Sequence, residues 1–193
     1  MKINFTSTVF YAIMSAAAFG VLYVEGTSVM QKVEQSVGEI KLVGLSARTN
    51  NFKNEMDMAT SKIVPVNQQY FQQQLATKIP HRTTPGVTYC VYTAYESDYT
   101  GDYTYFIGER VDSFDGIAAE LQLLTFPAQA YAKFTTGPGP MPDVVRNAWM
   151  DIWKKSPTDF GGTRAYVADF ELYDERASNL SAVTLDIYIG IKQ

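Results

Sequence analysis

Few residues of this chain do chemistry by type alone, and their scarcity removes whole classes of function. Cys90 is the one cysteine and His81 the one histidine among 193 residues. A lone cysteine gives no intramolecular disulfide, no Cys-x-x-Cys redox pair and no thiolate metal cluster, and it leaves the redox compartment open. His81 sits in the polar run Lys78-Ile79-Pro80-His81-Arg82. A Ser-His-Asp triad or a histidine metal site needs a histidine held by a further group, so an exposed loop residue is the plainer reading. Gly137-Pro138-Gly139-Pro140 precedes a helical pattern, but it lacks the Gly-Lys-Ser/Thr ending of a phosphate loop, and proline removes needed N–H donors. It reads as a turn, and no cofactor or metal is expected.

Carboxylates and aromatic rings remain. Thirteen Tyr, eleven Phe and two Trp exceed the needs of a core this size, and rings that keep a polar tip suit ligand-facing walls. In Tyr166 to Tyr173, period-two alternation puts Tyr166, Ala168, Phe170 and Leu172 on one face. Val167, Asp169, Glu171 and Tyr173 share the other, which on the residues alone reads equally as a solvated face. Trp149 and Trp153 are four apart and share a helix face, a spacing that usually means core. Tyr92 and Tyr105 fall on strand-like stretches, where sheet packing and ligand contact are both open. A net charge of -4 and a pI near 5.0, without a long Lys/Arg run, argue against a nucleic-acid surface and against a small polyanion. An acidic, aromatic-rich protein suits a cationic or flat ligand.

These side chains must be carried by alternating strand and helix patterns. Residues 39–49 read as a strand, 56–78 as a helix with Pro65 in its first turns, and 87–96 and 103–111 as strands around a hairpin at 97–102. The order repeats in 126–135, a helix at 143–155, and strands at 164–173 and 183–191. Aligning Tyr105-Phe106-Ile107-Gly108 with Ile187-Tyr188-Ile189-Gly190 sets an offset of 82 residues, too long for a solenoid. The expectation is an α+β fold of tandem β-α-β-β units, 39–112 and 120–193, with an antiparallel sheet and a ligand groove between the halves.

Residues 1–25 form a hydrophobic segment, and 26–38 read as a connector. No charge occurs from Ile3 to Val24; Lys2 precedes and Glu25 follows. This is a signal or anchor profile, with Ala16-Ala17-Ala18 and Gly20 offering a cleavage site and Lys2 placing the remainder outside. Membrane association through residues 3–24, with export or inner-membrane anchoring, is expected. The alternatives are an amphipathic helix on a cytoplasmic protein or a start set too far upstream.

Five segments carry a resemblance: Gly44-Leu45-Ser46-Ala47-Arg48-Thr49-Asn50, Tyr95-Glu96-Ser97-Asp98-Tyr99-Thr100-Gly101, Ala148-Trp149-Met150-Asp151-Ile152-Trp153, Asp169-Phe170-Glu171-Leu172-Tyr173 and Asp186-Ile187-Tyr188-Ile189-Gly190. They resemble the GyrI-like, AraC-type effector-binding superfamily, most closely its stand-alone integron-cassette type, in order over about residues 35–193. The resemblance implies a SOUL-like tandem fold and a groove that binds lipophilic, often cationic, small molecules. It implies Glu171 as the groove carboxylate, with Trp149, Trp153, Tyr92, Tyr105 and Tyr173 as candidate walls. Many relatives carry a Trp near the position of Asn67, so this pocket is expected to be wider, wetter or differently selective. The implied function is a sensor or sequestering protein without its own DNA-binding domain. Two alternatives accompany it: a GyrI-like hydrolase of electrophilic toxins, with Glu171 activating water and Tyr92 or Tyr105 assisting, and a protein-interaction module.

Overall fold

The computed structural model describes residues 31–192; the uncharged segment 3–24 and its membrane role lie outside them. The elements run β1 (Gln31–Val37), β2 (Ile40–Asn50), α1 (Ile63–Gln72), α2 (Leu75–Lys78), β3 (Thr88–Thr93), β4 (Asp102–Val111) and β5 (Gln122–Phe126). They continue with β6 (Gln129–Thr135), α3 (Asp143–Trp153), α4 (Pro157–Phe160), β7 (Thr163–Arg164), β8 (Ala168–Tyr173) and β9 (Asp186–Lys192). All the strands join one antiparallel sheet in the order β1-β6-β9-β8-β3-β4-β2-β5, with β7 on β9.

The duplication is plain in that order. Each half supplies three consecutive sheet positions, β3-β4-β2 and β8-β9-β6, and the halves meet where β3 pairs with β8. Each half also sends its leading strand across to the other: β1 pairs with β6, and β5 pairs with β2. Residues 31–37, read from sequence as connector, are therefore a sheet strand. The reading failed because a strand at a sheet end needs little apolar alternation of its own.

This exchange forces the sheet to roll. Val37 to Ile40 and Phe126 to Gln129 span only three residue steps, about 11 Å at most. They connect strands six places apart in the sheet, about 29 Å if it were flat. The inner face of the roll is filled by rings around Phe170, which stacks on Tyr188 at 4.5 Å and meets Tyr131, Tyr89 and Phe126 within 5.9 Å. Gly44 opposes Gly108 in the β2–β4 ladder, and a Cβ on either would overlap the partner strand's backbone, so the close crossing there requires both glycines.

The other face carries α1 and α3. Val145, Ala148, Trp149 and Ile152 are buried on α3, and Ile63, Asn67 and Tyr70 on α1, the i, i+3, i+4 spacing of a helix laid on a sheet. The expected helix over 56–78 is shorter and broken. Asn50 accepts from the Phe52 and Lys53 amides, and buried Glu55 takes the Lys62 amide at 2.9 Å and the Ser61 hydroxyl, so these residues form a π-helical turn and a loop. Pro65 then sits in the first turn of α1, where no N–H is needed. Gln74, at φ 51, ends the run. The strand expected over 164–173 is interrupted at Tyr166, φ 52, so alternation holds only from Ala168. His81 is exposed in a loop, as read. Among the described residues no helix is long and apolar enough to cross a membrane.

Candidate functional site

Glu171 lies at the middle of the seam, directly opposite Cys90 in the β3–β8 pairing. Alternation turns Phe170 into the aromatic plug and Glu171 toward the helices, where it is 2% exposed. Three neutral donors converge on it. Tyr92 donates its hydroxyl to Oε1 at 2.9 Å, Trp149 donates its indole N–H to the same oxygen, and Tyr173 donates to Oε2 at 2.7 Å. They come from β3, α3 and β8, so both halves build the site. Among the described residues no Lys or Arg pairs with Glu171.

Burial pushes the Glu171 carboxyl above its ordinary range, against the pull of the three donors. Burial and the charge of Glu171 together push the Tyr92 and Tyr173 phenols well up, which keeps both as donors. The Cys90 thiol is likewise raised by burial and by Glu171, and it receives the Tyr105 hydroxyl at 3.1 Å. The result is a desolvated carboxylate held by hydrogen bonds alone. A carboxylate has about four acceptor positions, and three are in use. The Tyr92 and Trp149 rings meet edge to face at 4.9 Å, so in this arrangement they close over the Glu171 carboxylate.

The family described as integron-associated effector-binding proteins matches residues 35–191. The chain belongs to that family. This effector-binding protein is 28% identical over 154 residues to the candidate transcriptional regulator YobU of Bacillus subtilis, covering 79% of this chain and 92% of YobU. An integron cassette protein of Vibrio cholerae, VCH_CASS2, superposes with a TM-score of 0.67 at 26% identity, over 84% of this chain and 97% of that one. SAV2435, solved bound to tetraphenylphosphonium, superposes with a TM-score of 0.66 at 18% identity, over 84% and 94%; at that identity the likeness is one of fold.

The residues singled out from the effector-binding sequence divide in the structure. Glu171, Trp149, Tyr92 and Tyr173 come together. Tyr105 stands one ring away, 5.7 Å from Tyr92, with its hydroxyl on Asn67 at 2.8 Å and on Cys90. Asn67 is thus a buried acceptor on α1, facing the sheet at Tyr105. Trp153 lies one turn along α3, and the indole N–H that reaches Glu171 is that of Trp149. Trp153 stacks on Tyr99 at 5.3 Å and meets half-exposed Phe52 at 6.3 Å, making an outer tier across the halves. Phe52 and Tyr99 were not found from sequence, because both sit in irregular segments where periodicity gives no face. Cys90 could have been found, since it is two residues from Tyr92 on one strand. Among the described residues no cluster of His, Cys, Asp and Glu could hold a metal.

Proposed function

We propose that this effector-binding protein captures lipophilic, amphipathic organic cations at Glu171 and acts as a sensor or a sequestering protein. The observation that carries the reading is a buried carboxylate supplied with neutral donors and, among the described residues, with no cation. Burying an ion costs several kcal/mol, and an opposite charge offsets that cost best. Ring faces from Tyr92 and Trp149 add about 0.5 to 2 kcal/mol each as cation–π contacts. The tetraphenylphosphonium bound by SAV2435 is a ligand of this chemistry. That all three donors are already engaged with the carboxylate supports binding over water activation.

The test is calorimetric titration of tetraphenylphosphonium and of neutral triphenylphosphine oxide into the wild type and Glu171→Gln. The substitution keeps shape and removes charge. Cation affinity should fall ten- to a hundred-fold, about 1.5 to 3 kcal/mol, while the weak binding of the neutral compound stays unchanged. Equal cation binding by both proteins would sink the site. Retained binding together with loss of hydrolysis of an electrophilic substrate would favour the hydrolase instead.

A further inference from the structure

A second carboxylate stands on the Glu171 face of β8, and it already holds a cation. Asp169 is fully buried. Its Oδ2 accepts from the Arg164 guanidinium at 2.6 Å and from the Tyr95 hydroxyl at 2.9 Å, and its Oδ1 from the Gly190 amide at 2.8 Å. The Arg164 guanidinium lies 4.4 Å from the Tyr166 ring centre, and Tyr166 meets Tyr95 edge to face at 5.4 Å. A desolvated carboxylate, a tyrosine hydroxyl donating to it and a ring against the cation are the groups that Glu171, Tyr92 and Trp149 present without one. Here the chain supplies the cation itself.

A single buried ring, Tyr103, lies between the two cages. Tyr103 lies 5.7 Å from Tyr95 and 5.8 Å from Tyr92, and alternate residues of a strand are about 7 Å apart. A bound cation carrying a second charge at that spacing would meet Arg164 rather than a free carboxylate. The Arg164 side chain is 7% exposed, and its Nε makes no hydrogen bond, so the carboxylate and the ring hold the guanidinium.

We infer that Arg164 fills a second cation cage and thereby restricts the ligand of Glu171 to a single positive charge. The inference rests on the reading of Glu171 given above and names the charge class of its ligand. Excluding a dication is repulsive selection: the wrong partner meets a like charge with no carboxylate to pair it.

The experiment compares pentyltriphenylphosphonium with (5-ammoniopentyl)triphenylphosphonium by calorimetric titration into the full chain. It uses the wild type, Arg164→Met and the double variant Arg164→Met/Asp169→Asn. The wild type should prefer the monocation. Arg164→Met should reverse the preference by about tenfold or more, and the double variant, with neither charge, should lose that reversal. Thermal unfolding supplies a second reading, independent of Glu171: ethylguanidinium should raise the melting temperature of Arg164→Met and leave the double variant unchanged. An unchanged preference in a folded Arg164→Met that binds the monocation overturns the inference and leaves the Glu171 reading standing. Failure of the wild type to bind either cation overturns both. If Arg164→Met does not fold even with ethylguanidinium while the double variant does and binds both cations as the wild type does, the inference is also overturned.

Discussion

Glu171 is costly where it stands, and its cost depends on pH in a direction that can be checked. Its carboxyl is raised in the folded state by burial, so folding takes up a proton where the unfolded chain, with an ordinary value of about 4.3, has lost it. The stabilisation is present below the unfolded value and is lost as pH rises through the folded one. Relative to Glu171→Gln, which does not titrate, the wild type should lose stability across that window and then run parallel above it. Urea unfolding of both proteins from pH 4 upward reads this, and parallel profiles throughout would show that the three donors fully offset the burial of Glu171, contradicting a raised carboxyl. Cation affinity should move the opposite way, rising as the carboxylate ionises. Part of this was legible beforehand: period-two alternation separates Glu171 from Phe170 without a structure. Alternation says nothing about whether the Glu171 face is wet or dry, and Tyr92 and Trp149, donors from other elements, decide that. Asp169, on the same face, reads identically in sequence, yet it is closed by Arg164 from beyond the Tyr166 break.

The helices and strands of the repeat were legible because their apolar positions follow the burial that fixes them: α3 buries Val145, Ala148, Trp149 and Ile152 in the pattern its sequence shows. The leading strands β1 and β5 escaped because ladder bonds to a distant strand, not a buried stripe, define them. Leu123 on β5 is half-exposed, and only Phe126 there is buried. The same exchange makes β1 matter for stability. It pairs with β6 along seven residue positions, from Gln31 opposite Thr135 to Val37 opposite Gln129. A chain beginning at residue 39 should therefore expose the β6 edge, self-associate and melt well below one beginning at residue 31. Melting curves and sedimentation of the two truncations check this, and identical behaviour would mean that β1 contributes nothing to the sheet.

The molecule as a whole uses duplication to make one asymmetric site. Rolling the sheet buries an aromatic plug on its inner face and leaves α1 and α3 on the other, so the seam between β3 and β8 lies beneath them with Cys90 from one half against Glu171 from the other. The row is matched in backbone and mismatched in chemistry, which gives a single carboxylate where symmetry alone would give two or none. Ring pairs bridge the halves at two depths, Tyr92 with Trp149 inside and Tyr99 with Trp153 outside. Whether a cation goes to the carboxylate or only to the outer rings is the central question, and tetraphenylarsonium answers it, because arsenic scatters anomalously. In crystals grown with this cation, the arsenic peak should lie within about 6 Å of the Glu171 carboxylate, with the Tyr92 and Trp149 rings parted around it. A peak confined to Phe52, Tyr99 and Trp153, with Tyr92 and Trp149 still in contact and still donating to Glu171, would contradict the account.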